Sequence, residues 1–160
     1  MHATLKPHHF LDLICDMAAN NGVFEYVSPY GHAMRVYGNL LSVGDIDSVT
    51  FTPGADDACK PCKMLSDGIC TDVFTEEVAK NYGMDKKYDY NMKLDMTFVQ
   101  ILPEVFSFDT ERNVDEVFAL LKEKLTPEII LMNWPRANRV ELTLKGLDMV
   151  IEARSKKSIK

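Results

Sequence analysis

The sequence predicts one helix-rich α/β domain, of the α+β type, with a small sheet and a cysteine-rich metal-binding loop. Its 160 residues have the length of a single ordinary domain, and 46% hydrophobic residues are enough for a core. Apolar residues recur at helical spacing in most segments, while strand-like alternation is confined to two short runs. Three of the four cysteines lie within residues 59–70. We therefore treat residues 1–160 as one domain built around this loop.

The first half of the chain predicts two helices and a strand. Pro7 suits the first turn of a helix, which continues at helical spacing to an Asn-Asn-Gly stop at residues 20–22. A loop with Ser-Pro-Tyr-Gly follows, and residues 32–41 predict a second helix. Apolar residues alternate with Ser and Thr over residues 47–53, which predicts a strand. This strand leads directly into the cysteine loop.

The second half is predicted to be mainly helical. A short helix is expected to end at Gly83, before a solvated loop over residues 84–93 and a second strand over residues 94–101. Asn113 with Glu116 three residues later is a capping signal for the next helix. Two further helical elements are predicted, a short one from Thr126-Pro127 to Leu131, closed by Trp134-Pro135, and a last helix that begins near Asn138.

The charge balance excludes two classes of partner. Asp and Glu total 24 against 18 Lys and Arg, so the net charge is -6, and the densest basic run is Lys156-Lys157. Nucleic acids and anionic membranes are therefore not expected as partners. A redox partner protein or a small-molecule substrate is the expectation that remains.

The N-terminal segment predicts a cytoplasmic location. Its longest apolar stretch, residues 10–15, is interrupted by Asp12, which fits neither a signal peptide nor a membrane span. In a reducing compartment cysteines are expected to be thiols or metal ligands. Cys59 and Cys62 also have the spacing of a redox pair, so a disulfide stays an alternative.

The cysteine loop predicts a metal site. Cys59 and Cys62 are three positions apart, so the turn between them can aim both sulfurs inward, and Cys70 can close on them from an Asp-Gly bend. The competing interpretation is a pair of buried thiols beside a loop thiol. The fourth ligand is open among an exogenous group and three side chains of the first helix: Cys15, His8 and Asp12.

These three side chains share one face of the first helix. At about 100° per residue, His8, Asp12 and Cys15 fall together opposite the apolar stripe. The face either meets solvent or contributes to the metal site. Because His9 points about 100° away from His8, only one of the two is expected to face the centre, and His8 is the better candidate. It could ligate, donate a proton, or donate a hydrogen bond to a cluster sulfide.

The spacing favours an iron–sulfur cluster over zinc. A usual zinc ribbon has two C-x-x-C knuckles, whereas this chain has one knuckle, a wider gap to Cys70 and a distant Cys15. Such an arrangement tolerates the larger footprint of a cluster. Four thiolates in a closed site suit zinc as well, so zinc remains the alternative cofactor.

Two segments together resemble a known family. Lys6-Pro7-His8-His9-Phe10-Leu11, with a strand leading into Gly54-Ala55-Asp56-Asp57-Ala58-Cys59, resembles the bacterial and archaeal domain-of-unknown-function family twelve eighty-four. The resemblance covers about the first half of the chain and implies a small iron–sulfur binder. The family pattern has cysteine where this chain has Asp12, and Cys15 follows about one turn later. The Asp-Asp pair matches, and either aspartate is expected to form an Asx-turn or cap.

The favoured interpretation is an iron–sulfur protein, with a [4Fe-4S] cluster on Cys15, Cys59, Cys62 and Cys70. Complete cysteine ligation would suit electron transfer or redox sensing. Ligation by three cysteines would leave one iron as a Lewis acid, with three side chains available for proton transfer: His8, Asp12 and Asp57. The competing interpretation is a structural zinc domain that binds a protein partner.

Overall fold

The structure is a computed structural model that describes residues 1–21, 33–62, 64–134 and 137–158. It is 61% helical and has the α+β architecture that the sequence predicts. In chain order the elements are β1 (His2–Leu5), α1 (Pro7–Ala19), α2 (Ala33–Val43), β2 (Ser48–Phe51), β3 (Leu65–Ser66), β4 (Ile69–Cys70), α3 (Glu76–Tyr82), α4 (Lys87–Ile101), α5 (Pro103–Phe106), β5 (Glu111–Asn113), α6 (Val114–Lys124), α7 (Pro127–Asn133) and α8 (Ala137–Ser158).

Most of the predicted elements are confirmed. The Pro7 start of α1, the strand β2, and the helices α3, α6, α7 and α8 fall where the sequence predicts them. Asn113 caps α6 by accepting a hydrogen bond from the backbone N–H of Glu116 at 3.1 Å. The predictions for residues 22–32, which include the loop and the helix start at His32, lie outside the described residues, as does Pro135.

The predicted strand over residues 94–101 is wrong, and the loop predicted over residues 84–93 is wrong from Lys87 onward, because Lys87–Ile101 forms the helix α4. The alternation of Leu94, Met96 and Phe98 imitated a strand. In the helix, Leu94 and Phe98 lie one turn apart and are buried, whereas Met96 is 42% exposed. Asp95 is also buried on this helix, so α4 lacks the clean separation of polar and apolar faces that predicts a helix.

A mixed sheet of three strands, in the order β1-β2-β5, lies beside α1. Strands β1 and β2 are parallel, with His2 opposite Ser48 and Leu5 opposite Phe51. Strand β5 pairs antiparallel with β2. The sequence analysis missed β1, because four residues at a chain end are too short for a periodic signal. β1 nevertheless determines which segments meet, because the segments that follow two adjacent parallel strands leave the sheet at the same edge.

Helix α1 is the centre of the core. Phe10 contacts the ring of Phe51 edge-on and stacks on that of Phe118, with centroids 5.4 and 5.2 Å away. The opposite face, with His8 and Cys15, is also buried, at 4% and 6% exposure. The alternative that this face meets solvent is therefore wrong for these two residues. No helix in the described ranges combines the length and apolar character that crossing a membrane requires.

The contact between α1 and α8 depends on Gly146. A Cβ atom at this position would lie 1.8 Å from the carbonyl oxygen of Ile14, which is backbone and cannot rotate away. A glycine inside a helix lowers the stability of that helix relative to alanine, so its presence in α8 needs a reason. The structure shows its physical reason, since only glycine lets the two helices approach this closely.

Gly146→Ala should lower the free energy of unfolding by about 3 kcal/mol or more, because α1 and α8 would be forced apart. Gly54→Ala is the matched control, since its nearest neighbour to a new Cβ is the Thr52 hydroxyl at 3.8 Å. Urea denaturation of both variants tests this. Similar stability of the two variants would contradict the close packing.

The carboxyl group of Asp16 on α1 is expected to make the stability of the protein depend on pH. Burial, and then the charge of Asp12, raise the pKa of its carboxyl from 3.8 to about 6. The folded protein disfavours the charged form, so stability should fall as pH rises between these two values and stay lower above them. Asp16→Asn should therefore raise the free energy of unfolding at pH 7 by about 1–3 kcal/mol and have little effect at pH 4. Urea denaturation at both pH values tests this. An unchanged free energy of unfolding at pH 7 would contradict the prediction.

Candidate functional site

The parallel pairing of β1 and β2 brings the two motif segments together. The Lys-Pro-His-His segment follows β1, and the Gly-Ala-Asp-Asp-Ala-Cys segment follows β2, so both leave the same edge of the sheet. Ligand sites commonly form at the carboxyl ends of parallel strands for this reason. The start of α1 therefore lies against the cysteine loop.

Asp56 and Asp57 join these segments. Asp56 is fully buried, and its carboxylate accepts hydrogen bonds from the backbone N–H of Lys6 at 2.6 Å and of Cys59 at 2.8 Å. Asp57 accepts one from the N–H of Thr4 at 2.8 Å. The expected capping role of Asp56 is confirmed by its bond to Cys59.

Asp57, which the sequence analysis also considered for proton transfer, lies outside the cavity lining described below. Its carboxylate is engaged by Thr4 and by the Lys60 ammonium at 3.3 Å. The structure therefore gives Asp57 a role in holding β1 to the loop.

Two tight turns and a hairpin place the loop cysteines. The N–H of Cys62 donates to the carbonyl of Cys59 at 2.8 Å, and the N–H of Leu65 donates to that of Cys62 at 3.2 Å. Leu65 then pairs with Cys70 across the hairpin β3–β4. Asp67 and Gly68 form its bend with positive φ angles of 52° and 78°, as a primed two-residue turn requires. All four cysteines are free thiols.

A cavity of about 510 Å³ lies where these elements meet, which is the size of a small-molecule site. Among the residues that the sequence analysis selected, those that line it are His8, Asp12, Cys59, Cys62 and Cys70. The structure therefore collects five of the predicted site residues around one space.

Cys15 is not among the residues that line this cavity. It is buried where α1 packs on α8, near Thr143 and Arg139, and burial raises the pKa of its thiol. The predicted fourth ligand thus does not line the cavity that the three loop cysteines share, although all four belong to the same half of the sequence.

Both histidines line the cavity, contrary to the expectation for only one. His8 places Nδ1 at 2.9 Å from the buried carboxylate of Asp95, which also accepts the backbone N–H of His8 at 2.8 Å. His9 places Nδ1 at 2.7 Å from Asp56. Each imidazole is therefore held by a carboxylate, which orients the ring and leaves Nε2 as its other functional atom.

These contacts shift three ionisation equilibria. Burial opposes a charge on His9, but the hydrogen bond and charge of Asp56 outweigh it and raise the pKa of His9. Burial alone would raise the pKa of Asp56, yet His9 and the backbone N–H donors hold that pKa well below its usual range. Burial and the Asp56 charge raise the pKa of Cys59 to about 12. Without a bound cation, Cys59 is a protonated thiol.

The remaining wall carries charge and aromatic surface. Asp12 accepts a hydrogen bond from Nη2 of Arg139 at 2.7 Å, and the Arg139 guanidinium lies 3.9 Å from the ring centroid of Trp134. Sequence reasoning identified Asp12 but missed Arg139, Asp95 and Lys6. Arg139 and Asp95 carry no local signal, because they reach the site from α8 and α4.

Comparison with protein-family models, with curated proteins and with solved structures found no match to this chain.

Asp56→Asn should lower the free energy of unfolding by about 3–5 kcal/mol at pH 7, because an amide cannot accept all the N–H donors that meet the buried carboxylate. Asp57→Asn is the matched control, with an expected loss of about 1 kcal/mol, since its side chain is 21% exposed. Because the pKa of Asp56 is lowered in the folded protein, its advantage over asparagine should shrink below about pH 4. Equal effects of the two variants in urea denaturation would refute this role of Asp56.

Proposed function

We propose that this protein binds an iron–sulfur cluster, [4Fe-4S], on Cys59, Cys62 and Cys70, and acts as a small iron–sulfur enzyme. The observation that carries the proposal is that three free thiols line one cavity together with two carboxylate-bound histidines. A donor set of thiols is what clusters require. The family resemblance of the first half of the chain supports the same proposal.

The separation of donors favours a cluster over a single zinc ion. Thiolates on one tetrahedral zinc lie about 4 Å apart, given Zn–S bonds of about 2.3 Å. Among the described residues, the group of donors that lies within 4.8 Å is His9, Asp56 and Cys59, and it does not include the three cysteines together. Thiols held further apart suit a cluster, in which each sulfur binds a different iron.

The location of Cys15 favours an enzyme over an electron carrier. Because Cys15 lies outside the cavity lining, the three loop cysteines leave the fourth position to another group. Asp12 lines the cavity and stands where the resembled family has cysteine. When bound, such a cluster supplies a Lewis-acidic iron.

The protein residues around this position are arranged for proton transfer. Asp95 fixes the ring of His8, so Nε2 is the atom that accepts or gives a proton at the cavity. Arg139 holds the carboxylate of Asp12 in one orientation by its hydrogen bond at 2.7 Å. We therefore assign His8 as the general acid or base and Asp12 as a second polar group at the reacting position.

The alternative is a structural zinc domain that mediates a protein interaction. The compact group of His9, Asp56 and Cys59 favours it, because a single ion needs donors this close. However, the Asp56 carboxylate already accepts three N–H donors: the backbone N–H of Lys6 and of Cys59, and Nδ1–H of His9. An ion at this position would have to displace at least part of this set, which makes the zinc site the second candidate.

Anaerobic purification with iron, sulfide and zinc analysis separates the two candidates. A [4Fe-4S] centre should give a brown protein, bleached by dithionite, with about four iron and four sulfide per chain. A colourless protein with stoichiometric zinc, and without iron or sulfide after anaerobic reconstitution, would overturn the cluster.

Serine variants of the three loop cysteines test the ligands. Cys59→Ser, Cys62→Ser and Cys70→Ser should each lower bound iron several-fold, because each removes one thiolate. Cys15→Ala is the matched control and should keep the iron content and absorption spectrum, since its buried thiol behaves as a small apolar group. Loss of the cluster in a Cys15→Ala protein with unchanged circular dichroism would show that the fourth position is not open.

A further inference from the structure

Lys6 is a largely buried residue whose ammonium group has no anionic partner among the described residues. Its side chain lines the cavity, and the residue is 7% exposed. Among the described residues, Nζ forms no hydrogen bond or ion pair, and it lies 5.9 Å from the ring centroid of Tyr88, a cation–π distance. A buried ammonium group is costly unless an anion or several acceptors face it.

The four carboxylates that the described residues place around the cavity do not supply this anion, because each is engaged elsewhere. Their partners are Arg139 for Asp12, His9 for Asp56, Lys87 for Asp72 and His8 for Asp95. Each of these four carboxylates therefore has a direct contact at 3.0 Å or less with a basic side chain. Lys6 is the exception, and its position at the cavity wall leaves room for an anion that the described part of the chain does not provide.

Arg139 gives a second, independent indication. Its Nη2 is used by Asp12, but Nε is buried and has no hydrogen-bond partner among the described residues. The residue is 8% exposed and lines the same cavity. Two buried cations with unused donor capacity thus border one space.

The size and walls of the cavity limit what can bind. About 510 Å³ accommodates a small molecule but not a folded partner. Aromatic rings supply part of the wall: Phe74, Tyr82, Tyr90 and Trp134. A ligand that fits therefore combines an anionic group with a planar or apolar body.

We propose that Lys6 anchors the anionic group, a carboxylate or a phosphate, of a small molecule that binds in this cavity. As the substrate class of the iron–sulfur enzyme, this inference rests on the proposed function. The contact between the ammonium group and the anion does not need the metal, so it can be measured in samples with and without iron.

Binding of three probes tests the anchor: benzoate, its neutral analogue benzamide, and inorganic phosphate. Trp134 is the only tryptophan of the sequence and lines the cavity, so its fluorescence should report occupancy, with calorimetry for affinity. Titrations use the anaerobically purified full chain, with iron measured in every sample. Benzoate should bind at least tenfold more tightly than benzamide. If inorganic phosphate also binds at least tenfold more tightly than benzamide, the ligand class is phosphate esters. If it does not, the ligand class is carboxylates.

Three variants test whether Lys6 supplies the positive charge that binds the anion. Lys6→Met keeps the length of the side chain and should weaken benzoate binding at least tenfold, while Lys6→Arg should retain most of it. Lys60→Met is the matched control, because Lys60 is 71% exposed and lies outside the cavity lining, and should bind within twofold of wild type.

Equal affinity of the wild-type protein for benzoate and benzamide would overturn the anchor, whether or not Lys6→Met folds. Unchanged benzoate binding in a folded Lys6→Met protein would overturn it as well. A wild-type protein that contains no iron but binds benzoate through Lys6 would support the anchor and refute the proposed function alone.

Discussion

The buried carboxylate of Asp56 is the interaction on which the rest of the site depends. It accepts N–H donors from Lys6, His9 and Cys59, so it ties the start of α1 to the beginning of the cysteine loop. A buried charge is stable only when it is paired and hydrogen-bonded, and this one has both kinds of partner. Together with the hydrogen bonds between Asp57 and Thr4, it holds the two segments together beyond the end of the β1–β2 ladder.

A second buried carboxylate repeats the arrangement from another element. Asp95 reaches His8 from α4, as Asp56 reaches His9 from the loop, and the two imidazole rings lie 4.3 Å apart between centroids. Each ring is oriented by its own carboxylate, so the histidines can face one cavity although they are adjacent in sequence. The pairing engages both carboxylates, and the ammonium group of Lys6, which has no anionic partner among the described residues, is then the distinctive feature of the wall.

The features that the sequence predicted correctly are those set by interactions between residues close together in the chain. Local signals located α1 at Pro7 and α6 at Asn113, because proline and capping preferences act within one turn. The α4 prediction failed because Asp95 is placed by a contact 87 residues away, which no local pattern encodes. Three cysteines reached the predicted site through two turns and a hairpin, which are local as well. Cys15 did not, because its environment is set by the packing of α8.

The sequence by itself determined the helix-rich α+β class, the cysteine loop and the histidine pair, since composition, spacing and capping are properties of neighbouring residues. The tertiary structure decided how these parts meet. The unrecognised strand β1 pairs in parallel with β2 and brings both motif segments to one edge. Gly146 then allows α8 to approach α1 and to place Arg139 at the cavity. The lack of an anionic partner for Lys6 among the described residues also follows from long-range contacts, because the carboxylates around the cavity are paired with side chains of other elements.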